Sequence, residues 1–164
     1  FPAGSLADTL RRHLDDRGFE PEVLDRDALA LDGLPPTLAY VNARSLQCHD
    51  LWHIVAGYET TALHEIGVSA FQMAQYGHHY SAMLTAISLM RVAFNAPGAA
   101  RLILDTVTGG WAHGREMPPL LGVNWEAHWA KPLDTVRAEL GVTPYASPHP
   151  ADVFERAREN SAAA

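Results

Sequence analysis

The chain has 164 residues, of which 48% are hydrophobic and 19% charged, enough for one domain with a buried core and too apolar for a disordered chain. A formal charge of −7 without a basic cluster excludes the usual nucleic-acid-binding surface. The single cysteine, Cys48, excludes a disulfide framework and fits a reducing compartment.

Taken in chain order, the pattern reads as helices. The chain opens on Phe1 without an initiator methionine or a signal-peptide pattern, so a processed or trimmed start is expected. Ser5 is placed to cap a first helix to Arg17, with Gly18 at its end. Residues 21–36 read as a short helix or turn region punctuated by Pro35-Pro36. A long helix follows from Leu38 to about Ala56, and Gly57 breaks it. Thr60 or Thr61 can cap the next helix, Ala62–Gln75, which closes at Tyr76-Gly77. His78–Phe94 is a third long helix, stopped by Asn95-Ala96-Pro97-Gly98. Its longest apolar run, near Ser81–Met90, is too short to span a membrane, which takes about 20 residues.

Residues 98–115 look helical, weakened by Gly109-Gly110, and Pro118-Pro119 marks a loop. Asn124 is expected to cap Trp125–Lys131, and Pro132 to open a helix to Leu140 with Gly141 at its end. Residues 151–159 suit a last short helix, and Ser161–Ala164 should fray. The expected fold is all-α: one domain over 1–164, a bundle of about six or seven helices with no strand and no repeat. Small residues and methionines in Ile66–Gln75 and Ser81–Phe94 fit close helix packing, or else an apolar tunnel for a long hydrophobic ligand.

One stretch carries chemistry. His49-Asp50-Leu51-Trp52-His53 is followed by Glu65, giving H-D-x-x-H-x(11)-E. His49 and His53 are four apart and so lie on one helix face, at the edge of the stripe Leu38, Val41, Ser45, Cys48, Trp52 and Val55. Residue 59 is midway between His53 and Glu65, inside the turn. In an antiparallel helix hairpin, residues equidistant from the turn face each other, so Glu65 can complete a site begun by the histidines. A divalent metal would accept this N/O set, zinc or iron better than calcium. An isolated pair of histidines at this spacing is more often surface decoration; the two carboxylates shift the balance. Asp50 points further round the helix, as a ligand or as a carboxylate orienting an imidazole.

The zincin protease pattern H-E-x-x-H is a poor match, because the shorter Asp50 stands where a glutamate acts as general base. Cys48 is better read as a small buried apolar residue. His64 points about 100° from Glu65 and is not expected to ligate. His78 and His79 read as capping or surface residues, and His113 and His128 as pocket residues without a spacing argument. Arg91, inside an apolar helix, needs a partner: a substrate carboxylate or an internal acid. Arg115 could pair with a substrate carboxylate, or simply be hydrated.

The motif from His49 to Glu65 resembles the signature of the Coq-four family of ubiquinone (coenzyme Q) biosynthesis proteins. Trp111-Ala112-x-Gly114, Leu120-Leu121-x-Val123, Trp125-Glu126-x-x-Trp129 and Val136-Arg137-x-Glu139-Leu140-Gly141 are similar to that family's closing region. Cys48 and Trp52 fit its bacterial members. The likeness covers residues 5–141, leaving 142–164 as a C-terminal extension; family members often carry more sequence ahead of this chain's start.

The resemblance implies an α-helical protein acting on ubiquinone precursors, benzoate rings with a long polyprenyl tail. It implies His49, Asp50, His53 and Glu65 as metal ligands, usually to zinc, with iron or another redox metal as the alternative. It implies removal of the ring carboxylate, or its oxidative replacement by hydroxyl, with Glu65 and Asp50 as catalytic residues and Arg91 and Arg115 as substrate-binding candidates. The alternative is a non-catalytic scaffold that binds polyprenyl lipid and organises other ubiquinone biosynthesis enzymes. Either version implies a cytoplasmic protein held peripherally at a bacterial inner membrane, and exposed Ala-rich and Met-rich faces would suit a homodimer.

Overall fold

In the computed structural model, which describes residues 1–18 and 33–156, the Ser5 hydroxyl accepts from the Asp8 N–H at 3.3 Å and opens α1, Leu6–Asp15. α1 closes earlier than its pattern suggests, and the chain turns out through Gly18 at φ 63°. α2 spans Pro36–Ala56. It starts before Leu38 because Pro36 sits in the first turn, where its fixed φ fits and its missing N–H costs no bond. Most of the region 21–36 lies outside the described residues.

Gly57, at φ 79°, ends α2 in the left-handed region that glycine tolerates. Thr61, rather than Thr60, caps α3 (Ala62–Tyr76) by accepting from the His64 N–H at 3.3 Å. α4 is His79–Asn95, and a 3₁₀ turn at Pro97–Ala99 leads into α5, Ala100–Glu116. α6 is Leu133–Leu140. Residues 153–156 form a helical turn; the rest of that expected last helix and the frayed end lie outside the described residues. Among the described residues there are no strands, only one isolated antiparallel bridge, Ser5 to Pro132.

One expected element is corrected. Asn124 makes no side-chain cap, and Trp125–His128 is a 3₁₀ turn, not a helix to Lys131. The Trp125 side chain is buried among the core residues, and Pro132 disfavours helical backbone at Lys131.

Trp52, Trp125, Phe71, Leu6, Leu120 and Val136 form the main core, drawn from α1, α2, α3, α6 and the loop before α6. Cys48 is buried there as a free thiol. The α2 stripe is inward at Ser45, Cys48, Trp52 and Val55, but Leu38, in its first turn, is exposed. A smaller cluster, Leu63, Ile66 and Ile103, joins α3 to α5.

The C-terminal segment fastens the end of α2. Arg137 donates from Nη2 to the Ile54 carbonyl (2.8 Å) and from Nε to that of Val55 (3.0 Å). The Tyr145 N–H donates to the Ala56 carbonyl at 2.8 Å. These are terminal carbonyls that no α2 amide can satisfy.

α3 and α5 approach through small residues. A Cβ at Gly110 would lie 2.4 Å from the Gly67 carbonyl oxygen, and one at Gly114 2.7 Å from that of Phe71. Gly109-Gly110 therefore does not interrupt α5; the pair allows the contact, and small residues serve close packing here.

Alanine in place of glycine inside a helix gains about 1 kcal/mol from propensity. At Gly110 that gain is outweighed by overpacking against backbone, which costs about 1–3 kcal/mol. Gly110→Ala is expected to lower the unfolding midpoint in urea, whereas Gly122→Ala, with no atom within 4 Å of the added Cβ, should be neutral.

Candidate metal centre

Two helices and one turn build the site. His49 and His53 lie one turn apart on α2, and Glu65 lies in the first turn of α3. A helix N-terminus favours a carboxylate, so Glu65 is stabilised where the hairpin places it. The ligand atoms of the three residues all lie within 4.8 Å of one another. His53 Nε2 is 3.1 Å from His49 Nε2 and 3.3 Å from Glu65 Oε1, and His49 Nε2 is 3.5 Å from Glu65 Oε2. Ligands about 2.0–2.1 Å from a tetrahedral zinc would be about 3.3 Å apart. The three donors already stand at that spacing.

The donor pattern leaves a place for a cation between them. His53 Nδ1 donates to the Tyr58 carbonyl, 3.1 Å away. In neutral His53 this leaves a lone pair on Nε2, facing a carboxylate oxygen that also only accepts. Protons or a metal ion must separate two such acceptors. Burial alone would raise the Glu65 carboxyl, but hydrogen bonds from His49 and His53 and the charge on these imidazoles outweigh it and hold the carboxyl at about 2.

His49 is oriented from the other side. Its Nδ1 lies 2.8 Å from Gln72 Nε2, and Gln72 Oε1 accepts from Ser81 Oγ at 2.7 Å. A metal on His49 Nε2 requires a proton on Nδ1 and therefore an acceptor opposite it. Rotating the Gln72 amide by half a turn presents Oε1 to Nδ1–H and leaves its N–H₂ to donate to Ser81. The buried Gln72 side chain can serve either tautomer of His49.

The site is asymmetric in exposure. The His53 side chain is 1% exposed, while those of His49 and Glu65 are 34% and 40% exposed. Three protein donors with one open flank is the coordination pattern of a catalytic zinc site rather than a closed structural one.

Asp50 stands outside this triad. It is half-buried and acts electrostatically on His13 of α1. Adjacent helix residues are about 100° apart, but Asp50 is three residues before His53 and so borders the same face. Arg91 and Arg115 are both exposed. Arg91 needs no internal carboxylate, because α4 leaves its apolar side in solvent. His64 accepts at Nδ1 from the Glu59 N–H at 2.9 Å and does not join the cluster. His78 is half-buried, 2.9 Å from Ser81 Oγ through Nδ1, and so belongs to the Gln72 network. His113 Nδ1 accepts from the Tyr58 hydroxyl at 2.8 Å and its Nε2 donates to the Thr143 carbonyl at 2.8 Å, which places it behind the site. His128 pairs with Glu139 at 3.5 Å, apart from the triad.

The sequence reading missed three contributors: Gln72, the Tyr58 carbonyl and His13. Gln72 was findable, since it is seven residues after Glu65 and so on the same face of α3. The other two depend on backbone placement and on the docking of α1.

The fold and site thus define a class: an all-α protein with a candidate centre of two histidines and one carboxylate on a helix hairpin. The family model for coenzyme Q (ubiquinone) biosynthesis protein Coq4 matches residues 1–146, and the chain belongs to that family. A mitochondrial ubiquinone biosynthesis protein COQ4 homolog of Bos taurus is 32% identical over 143 residues, covering 87% of this chain and 52% of the relative. The Drosophila ananassae homolog is 34% identical over 149 residues, with the same coverages of 87% and 52%. The chain spans about half the length of these curated relatives. A crystal structure of a Nostoc punctiforme protein shares the fold, with a TM-score of 0.70 at 24% identity, covering 87% of this chain and 65% of that one.

Replacing an oriented ligand's hydrogen-bond partner typically costs about 10–100-fold in metal affinity. Gln72→Leu should lose about that much zinc affinity in a chelator competition, while Gln72→Glu, which can only accept when ionised, should retain it. His53→Ala should lose stoichiometric metal altogether, as read by elemental mass spectrometry.

Proposed function

We propose that this protein is a metal-dependent decarboxylase of a polyprenylated 4-hydroxybenzoate precursor in ubiquinone biosynthesis. One observation carries the reading: three donors at tetrahedral spacing, with their open flank toward solvent. Family membership supplies the pathway. A bound divalent ion would supply Lewis acidity toward a carboxylate or phenolate oxygen. His49, His53 and Glu65 would hold it. The Tyr58 carbonyl and Gln72 would keep both imidazoles turned toward it. Asp50, at the edge of the site, would serve as a further ligand or as a carboxylate that orients an imidazole.

Release of carbon dioxide leaves an electron pair on the ring carbon, to which a proton then adds. The oxidative version places a hydroxyl there and needs an oxidant, which zinc cannot be. Zinc suits the first version; iron or another redox metal suits the second. Arg91 and Arg115 are remaining candidates for anionic contacts at the surface.

The exposed side of α4 would dock the lipid tail. Tyr80, Met83, Ile87, Met90 and Phe94 are exposed and recur every three or four residues, so they form one side of α4; Leu104 and Trp111 of α5 are exposed too. No helix among the described residues is long and apolar enough to cross a membrane. We infer peripheral contact with a bilayer through this face. The same face would serve the scaffold reading, in which it meets a second copy or another biosynthesis enzyme.

Glu65→Ala should abolish decarboxylation of a short-tailed prenyl hydroxybenzoate while leaving the far-ultraviolet circular dichroism unchanged. Undiminished turnover in that variant would sink the enzymatic reading. Met83→Asp with Ile87→Asp should release the protein from anionic vesicles in sedimentation. If the pair instead converts a dimer to a monomer in light scattering with vesicle binding intact, the face is a protein interface.

A further inference from the structure

α4 is inverted relative to an ordinary surface helix. Tyr80, Met83, Ile87, Met90 and Phe94 are exposed, while its buried side chains are two hydroxyls, Ser81 and Thr85. An amphipathic helix normally buries its apolar side. A buried hydroxyl is unfavourable unless it has hydrogen bonds to make. Ser81 has them, and they lead toward the metal centre.

Ser81 Oγ donates to Gln72 Oε1 at 2.7 Å and lies 2.9 Å from His78 Nδ1. His78 Nδ1 is also 3.2 Å from Gln72 Oε1. These polar atoms close a triangle at one end of the Gln72 amide, while at the other end Nε2 lies 2.8 Å from His49 Nδ1. His78 stands at the N-cap position of α4, yet its side chain caps no backbone amide and turns to the Ser81 side chain instead. With its hydroxyl hydrogen committed to Gln72, Ser81 can only accept from His78. The donors therefore run one way, from His78 to Ser81, from Ser81 to Gln72 and from Gln72 to His49.

The same chain can run in reverse. With the Gln72 amide turned over, its N–H₂ donates to Ser81 Oγ, and the Ser81 hydroxyl hydrogen passes to His78 Nδ1, whose ring proton is then on Nε2. A hydroxyl and an imidazole can each donate or accept, which no aliphatic side chain can do. Gln72 is buried, so with alanine at position 81 one end of its amide would lose a partner that water could not replace.

We propose that Ser81 and His78 are positioning residues of the metal centre: they hold the Gln72 amide against His49 and keep it satisfied in both orientations, so that His49 can present Nε2 to a metal ion. This rests on the metal-centre reading and deepens it by assigning the first turn of α4 to the site. Neither residue touches the ion; each acts through Gln72.

The test is zinc affinity measured by chelator competition, run as a double-mutant cycle. Ser81→Ala and His78→Ala should each weaken zinc binding by about tenfold or more, the usual cost of losing a partner behind a ligand, with far-ultraviolet circular dichroism unchanged. His78→Asn, whose side-chain amide offers a donor and an acceptor near the Nδ1 position, should recover most of the loss. In a Gln72→Leu background, Ser81→Ala should cost nothing further, because the chain is already cut. Wild-type zinc affinity in both single variants overturns the proposal. So does an equal loss with and without Gln72, which would make the pair a general packing element between α3 and α4. Failure of the wild type to hold zinc defeats the metal reading separately. Nitrogen-15 imidazole spectra of the metal-free proteins then decide the positioning role. One His49 tautomer in the wild type that becomes mixed in the Ser81→Ala, His78→Ala double variant supports it, and an unchanged spectrum overturns it.

Discussion

Two imidazole nitrogens and a carboxylate held within 3.5 Å of one another form an arrangement that cannot stand uncompensated. If the histidines are neutral, with His53 fixed by the Tyr58 carbonyl, the His53 Nε2 lone pair faces the Glu65 carboxylate and only His49 has a proton to offer the cluster. If they are protonated, Glu65 must neutralise two cations from a half-exposed position. A divalent ion satisfies all three donors at once. The fold commits both sides of the hairpin to this juxtaposition, and much of the surrounding structure can be read as what holds it.

The hairpin is fixed at three places. Gly57 turns the chain where an added Cβ would lie 2.7 Å from Pro144 Cβ, so the turn and the C-terminal segment are packed against each other. Arg137 and Tyr145 bind the last carbonyls of α2. Behind α3, the glycine contact with α5 lets the two helix backbones approach, and Gln75 ties them further by donating to the Gly114 carbonyl and accepting from the Leu120 N–H. Each restraint lies outside the motif, yet each limits how far Glu65 can move from His53. A metal site tolerates little of such movement, since its affinity depends on donors that are already in place.

Helix order and the central triad were legible in the sequence because both rest on local rules. The 3.6-residue period, Ser5 and Thr61 as caps, and Gly57, Gly77 and Gly141 as stops are short-range signals. The spacing of His49, His53 and Glu65 about the turn is nearly as local. The Trp125 segment escaped because its geometry is set by burying an indole in a core assembled from four helices. Asp50 enters the ligand set through the family motif, while its helical phase places it at the edge of the triad's face. The roles of Arg91 and of Gly109-Gly110 depended on what lies opposite: solvent for Arg91, and α3 for Gly110. No pattern within a single helix reports that.

The same asymmetry organises the site and its approaches. His53 is sealed beneath the hairpin and backed by Tyr58, whose hydroxyl engages His113, whose ring in turn donates to Thr143. This inner side is a continuous hydrogen-bonded wall with burial pushing the Tyr58 phenol up and His113 down, which favours the neutral form of each. Neutral groups on that side leave Glu65 and Asp50 as the nearby charges that an incoming cation would meet. The outer side, with His49 and Glu65 partly exposed, is where a ligand can enter. A neutral wall behind a charged, half-open front gives an ion one stable position and gives an anionic substrate one direction of approach.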